Sequence, residues 1–528
     1  MVSGGEAEDK GEGVANHHGR VRTAARGLGA AALLLGLVAC GGDDGGTGGG
    51  GSSAGSVNAM AVAVDSTPGD LDPHQINQSP QTVGSRVVWY NVYETLLSRD
   101  ASGEIVPQLA TELPELVDDT TWRFTLREGV EFTNGEPLDA AAVKYSVDRI
   151  VDPASDSYLV EVVGGITGAT VVDPLTVDIT TEAYDPVLPS RATRLFVLPP
   201  EYSQQPDFAR EPVGTGPYTL ASQGPTELVL AANPDYWGGE PAIGEVTVRF
   251  VEDPTTRASA LRAGEVDLIT AVTPDIAGDL PNAPATEGGE NPFISLDALN
   301  GVATDHRVRE ALNLAIDKEA LADELFGGFA TVSNCQIVSP GSVGYDPDLE
   351  PYPYDPDRAE ELIEEAGATG ETVRLASAQS WPKGREMAET VASYWDAVGL
   401  KTEIEMHPGA GEQAEGLVKT PERPTGWYAP TSDDLFDASK SIDQWLTTES
   451  PVGAYSNPEI DALAAEIKAS TDADARIELL HEALEAACDD AAFVWLLNAQ
   501  TIWGTSDRLE FDPPADSELR FFAMDLSD

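Results

Sequence analysis

The chain has 528 residues and carries 90 Asp+Glu against 31 Lys+Arg, a formal net charge of -59. That excess makes nucleic acid and anionic lipid surfaces poor partners, so no nucleic-acid role is expected. With 41% hydrophobic residues the chain can fold, and its length exceeds a single ordinary core, so two or more lobes are expected.

In chain order, Arg20, Arg22 and Arg26 precede the apolar run AALLLGLVAC, Ala31 to Cys40. Basic, then apolar, then small residues is the order of an export signal. The run falls well short of the ~20 residues that a spanning helix needs. Leu37-Val38-Ala39-Cys40 resembles the bacterial lipobox, in which the cysteine takes a diacylglyceryl group and becomes the new N-terminus. Residues 1–39 are therefore expected to be a lipoprotein signal peptide, and Cys40 a lipid anchor on the outer face of the cytoplasmic membrane. The competing reading is a soluble secreted protein with an incidental cysteine. Residues 40–57, rich in Gly and Ser, read as a flexible tether. Gly46–Gly51 matches G-x-G-x-x-G and Gly51–Gly55 matches G-x-S-x-G around Ser53, but neither follows a strand or opens a helix, as their chemistries require.

The first strand is expected at Ala59–Val64 and a helix at Gln81–Leu97, with Val83, Val87, Tyr90 and Leu97 on one face. Trp122–Leu126 alternates as a half-buried strand, and Asn134-Gly135 turns toward a helix from about Asp139 to Ile150 with Asp139 as N-cap. Val171-Val172 and Thr176–Thr180, joined at Asp173-Pro174, read as a hairpin. From Val246 the pattern becomes strand, helix, strand: Val246 to Phe250, Thr255–Ala263 closed by Gly264, then Val266–Ile269. That spacing argues for a parallel α/β sheet. The pattern recurs beyond Phe293, with helices at Arg307–Ile316, Pro356–Ala366 and Lys383–Val398 and strands at Val373–Ala376 and Lys401–Met406. Two amphipathic helices, Pro458–Ala469 and Asp472–Cys488, follow. Cys335 and Cys488 are expected to pair in an oxidising compartment, the alternative being a buried Cys488 thiol beside Leu480, Leu484 and Ala487.

Taken in order, VYETLLSRDASGEIVPQLATE, TWRFTLREGVEFTNGEPLDAAAVKYSVDRI, VGTGPYTL, NPDYWGG, TRASALRAGEVDLI, DHRVREALNLAIDKEAL, YDPDRAEELIEEAG and YSNPEIDAL resemble the blocks of a known family. It is the extracytoplasmic solute-binding proteins of ABC importers, family 5, which bind dipeptides, oligopeptides or nickel. The resemblance implies an α/β, two-lobed, class II periplasmic-binding-protein-like fold with an α+β subdomain inserted in the first lobe. Lobe I would comprise 58–92, 211–290 and 499–528, the inserted subdomain 93–210, and lobe II 291–498. A small solute or peptide would bind between the lobes, and the loaded receptor, expected to be a monomer, would dock on an ABC permease.

Peptide-binding relatives use a segment resembling Gly-Trp-x-x-Asp, whose aspartate neutralises the ligand's ammonium. Here GWYAPTSDDLFDAS keeps Gly426 and Trp427 but has Pro430 at the aspartate position, leaving Asp433 or Asp434 a few residues on. The expected ligand-binding residues are Trp427, Tyr428, Asp433, Trp381, Thr67, Gly69 and Tyr90. Trp427 and Tyr428 offer rigid rings, although interlobe packing is an equal reading of them. Trp381 precedes a helix in QSWPKG, and Thr67-Pro68-Gly69 follows the first strand. The six histidines are scattered without H-E-x-x-H spacing, and Cys-x-x-Cys is absent, so no catalysis, cofactor or metal is expected. The alternatives are a nickel or haem chelate receptor of the same fold and, more remotely, a secreted hydrolase.

Overall fold

The computed structural model describes residues 58–74, 82–153, 157, 159–287, 290–411, 413–414, 423–431, 433–450 and 454–527. The segments expected to be a signal peptide, a lipobox ending at Cys40 and a tether with its two glycine motifs lie outside the described residues.

Three principal sheets draw on separate stretches of chain. The six-stranded sheet runs, edge to edge, 504–505, 268–269, 59–64, 245–250, 227–232, 218–223. The first strand, Ala59–Val64, lies parallel to Glu245–Phe250 and Leu268–Ile269, as the strand-helix-strand spacing predicts; the remaining pairings are antiparallel, so the sheet is mixed. The five-stranded sheet of the second lobe orders 401–407, 372–378, 426–431, 291–296, 493–495, again with a parallel and an antiparallel half. An antiparallel four-stranded sheet, 115–118, 121–125, 176–181, 166–173, packs the helix Ala140–Val151 in the inserted subdomain. A short antiparallel ribbon pairs Ala285–Thr286 with Thr501–Ile502 where the chain passes between lobes. Beside it the Ala499 amide donates to the Glu290 carbonyl at 2.9 Å.

Part of the acidic excess is local structure. Asp139, Asp253, Asp305, Asp317, Asp355 and Asp472 each stand at a helix N-cap and accept a backbone N–H from the first turn. That satisfies amides the helix cannot, and places negative charge at the positive end of its dipole. Pro254, Pro356 and Pro458 follow their caps, where the missing N–H costs nothing.

The helix expected at Gln81–Leu97 is shorter, Val83–Val92, and Leu97 belongs to the strand Leu97–Arg99. Tertiary contacts end it. A Cβ on Gly214 would lie 2.0 Å from the Val92 carbonyl oxygen, and the Gly216 amide donates to that same oxygen at 3.0 Å. Tyr93 is extended, and the next residue, Glu94, accepts from Tyr236 Oη and Trp237 Nε1, each at 2.8 Å. Burial pushes the Glu94 carboxyl up to about 7. The other expected helices and strands form within a few residues of their predicted ends.

Cys335 and Cys488 are joined by a disulfide, with Cα atoms 5.4 Å apart. It ties the loop before Ile337 to the end of the helix Ala473–Asp489, across a core that also holds Trp427 and Trp495. Arg307 and Arg309 pair with Asp305 and Asp490, each at 2.6 Å.

Candidate functional site

A cavity of about 620 Å³ lies between the lobes beside the crossover ribbon, within the range of small-ligand sites. Lobe I contributes the first turns of the helix Val83–Val92 and the stretches 270–274 and 517–519; lobe II contributes Phe326 and the turn Ser380–Lys383. Its walls are largely apolar: Val83, Val87, Phe326, Trp381 and Trp503 all line it.

The helix start is built by the loop after the first strand. Thr82 caps the helix by accepting the Ser85 amide, and its hydroxyl donates to the Thr67 carbonyl at 3.1 Å. The Gly69 amide donates to Ser85 Oγ at 3.0 Å. Gly84 is required there, because a Cβ would stand 2.4 Å from the Ser66 carbonyl oxygen. Thr67 and Gly69 thus hold the helix start in place; Val83, Arg86 and Val87, rather than those two, line the cavity.

The opposite wall is the turn after the strand Thr372–Ala378. Lys383 adopts φ 51°, an uncommon conformation for a residue with a side chain, and a Cβ on the following Gly384 would stand 2.2 Å from the Ala378 carbonyl oxygen. Trp381 is fixed by its Nε1 donating to Gln413 Oε1 at 2.6 Å, and Gln413 in turn donates to the Tyr428 carbonyl at 3.0 Å. Tyr428 Oη donates to the Pro382 carbonyl at 3.1 Å. Lys383 Nζ reaches Asp275 of the facing lobe at 2.7 Å, an ion pair spanning the two sides of the cleft.

Among the described residues, the charged side chains in the wall are Arg86, Glu290, Lys383 and Glu518. Glu518, only 2% exposed, lies 3.5 Å from Arg86 and 3.3 Å from Arg194. Arg194 also donates to Tyr90 Oη at 2.7 Å, and Arg520 stacks 4.9 Å from the centre of the Tyr90 ring. Tyr90 therefore sits one layer behind the wall, inside an arginine–carboxylate network. Its phenol is held neutral by burial.

Of the residues singled out from sequence, Trp381 lines the cavity. Trp427 and Tyr428 do not. They occupy neighbouring positions on the strand Gly426–Thr431, opposite Ser295 and Ile294, so their side chains enter opposite faces of the sheet. Both faces are covered: Trp427 packs with Phe293 and Trp495, Tyr428 with Ile294 and Trp395, and their exposures are 1% and 0%. Asp433 is also buried, and burial pushes its carboxyl up to about 6 despite the nearby Ser342 hydroxyl, Asp437 amide and Lys440. The residues after it clamp lobe II to the inserted subdomain: Leu435 joins that subdomain's core, Arg99 donates to the Leu435 carbonyl at 2.7 Å, and Arg99 covers the Phe436 ring at 4.4 Å. Pro430 stands opposite Pro292 in the strand pairing. The sequence reading missed Arg86, Glu290, Lys383 and Glu518. Lys383 alone carried a signal, as the neighbour of Trp381 in QSWPKG; the others gather only through the fold.

Among the described residues no cluster of His, Cys, Asp and Glu is arranged to hold a metal ion. None of their helices is long and apolar enough to cross a membrane. The family model of "Bacterial extracellular solute-binding proteins, family 5 Middle" matches residues 104–451. Glutathione-binding protein GsiB of Salmonella paratyphi A is 29% identical over 471 residues, covering 85% of this chain and 91% of its own. The structure of HbpA2 from Haemophilus parasuis superposes with a TM-score of 0.79 at 22% identity, covering 89% of this chain and 100% of its own. NikA from Brucella suis, solved with Fe(III)-EDTA, gives 0.77 at 25% identity with the same coverage. The mixed sheets, the double crossover and the interlobe cavity agree with that two-lobed class II fold. The chain belongs to family 5 of the bacterial extracellular solute-binding proteins, the extracytoplasmic receptors that deliver solutes to ABC importers.

Proposed function

We propose that this receptor captures a peptide or peptide-like solute in the interlobe cavity and is held at the membrane by lipid on Cys40. The observation that carries the reading is the cavity itself. Both lobes contribute to it, its walls are mostly apolar, and Trp381 is fixed in place by Gln413 to offer a rigid ring face. The relative at 29% identity, named a glutathione-binding protein, supports a small peptide as the ligand class.

A ligand that binds only the folded protein raises its melting temperature by mass action. A thermal-shift screen with glutathione, free tripeptides, metal chelates and oligosaccharides is therefore the direct test. Peptides are expected to give the largest shift; a shift confined to chelates would overturn the peptide reading and favour the nickel or haem alternative. For the anchor, Cys40→Ser is expected to move the protein from the membrane fraction to the medium. Retention of that variant in the membrane fraction would overturn the lipid assignment.

A further inference from the structure

We infer that Glu290 is the ligand's cation-binding residue, so that the solute carries a primary ammonium or other cationic nitrogen docked on this carboxylate beside the crossover ribbon. The inference deepens the reading of the cavity as a solute site, and rests on it.

The charges in the wall are not equivalent. Arg86 is balanced by Glu518, Glu518 is shared with Arg194, and Lys383 is balanced by Asp275. Glu290 is different: among the described residues its carboxylate has neither a hydrogen-bond donor nor an ion-pair partner, while its backbone is fixed by the Ala499 amide. It is half-buried, in a wall whose neighbours include Phe326 and Trp381. Burial raises its carboxyl from the usual glutamate value, as expected of an acceptor partly removed from water without a compensating partner.

A carboxylate in that state gains most from a cation that arrives with its own donors, because the charge-assisted bond replaces hydration already lost. A structural role would have supplied a partner from the protein. Position strengthens the assignment. Glu290 immediately precedes the strand Asn291–Leu296 and sits where the chain crosses between lobes, so a cation bound there is reached from both sides of the cleft.

The test measures binding by calorimetry to wild type, Glu290→Gln and Glu290→Asp, using trialanine, N-acetyl-trialanine, arginine and putrescine as probes. Gln preserves side-chain size, and an unchanged or raised melting temperature checks its fold. The expected result is that at least one cationic probe binds wild type, that Glu290→Gln loses about tenfold or more of that affinity, and that Glu290→Asp retains part of it. N-acetyl-trialanine is expected to bind Glu290→Gln at least as well as wild type. Equal binding of a cationic probe by wild type and Glu290→Gln overturns the inference. So does equal binding of free and acetylated trialanine by wild type, or binding by none of the cationic probes. If arginine or putrescine binds through Glu290 while trialanine does not, the inference stands and the peptide reading falls.

Discussion

Two stretches of the second lobe, Ser380–Gly384 and Gly426–Asp437, both present aromatic residues in a setting that suggests a ligand cleft, and they have opposite fates. The first is a tight turn at a strand's end, where a left-handed Lys383 and an obligatory Gly384 lift Trp381 into the cavity wall. The second begins as an interior strand, so alternation sends Trp427 to one helix-covered face and Tyr428 to the other. Its continuation becomes a clamp onto the inserted subdomain, with Leu435 as the plug. A ring on the turn that ends a strand reaches the cavity wall, whereas a ring inside a strand covered on both faces is core.

The comparison is broken most forcefully at Trp427. Trp427→Ala is expected to destabilise the fold by about 3–5 kcal/mol, the usual cost of a large aromatic cavity, while the folded fraction keeps its ligand affinity. Urea unfolding together with calorimetry checks this, and lost affinity at unchanged stability would return Trp427 to the cleft.

Asp433 sharpens the same contrast through pH. Burial pushes its carboxyl up to about 6 in the folded chain, against the ordinary 3.8 of an aspartate in the unfolded one. The unfolded chain therefore binds fewer protons across that window, and the stability this group contributes falls as pH rises from below 4 to about 6. Asp433→Asn is expected to abolish the fall and leave the protein more stable above pH 6 by roughly 2–3 kcal/mol. Urea melts of both proteins across that range decide it; the same fall in the variant would show that Asp433 is not the group responsible.

The smallest effect on folding, and a clear one on binding, belongs to Trp381. Trp381→Ala is expected to cost less than about 1 kcal/mol of stability and about 2 kcal/mol of ligand affinity, the scale of a buried aromatic anchor. Unaltered affinity in calorimetry would move the site away from the turn.

Much of the fold could be read directly from the chain because its signals are local. Asp139 before an apolar-periodic run, Pro458 after Asn457, and Gly264, Gly367 and Gly399 with positive φ at helix ends are short-range devices whose meaning does not depend on distant residues. The misplaced helix end at Leu97 fails for the converse reason: apolar spacing continued, but Gly214 and Gly216, more than a hundred residues later, close on the Val92 carbonyl. Of the candidate ligand-binding residues read from the chain, Trp381 alone lines the interlobe cavity. Arg86, Glu290 and Glu518 are ordinary charged residues in sequence, and what distinguishes them is which neighbours the fold supplies and which it withholds.

The amino-acid sequence by itself determined the order of strands and helices, their caps, the ordered family blocks and the export-signal pattern, because backbone propensity, capping and apolar periodicity act within a few residues. Tertiary structure decided which aromatic faces a cavity, where the first long helix stops, and why the Glu290 carboxylate stands in the cleft wall without a partner among the described residues. Burial and charge compensation are properties of surroundings assembled from distant segments, and no local stretch of chain carries them.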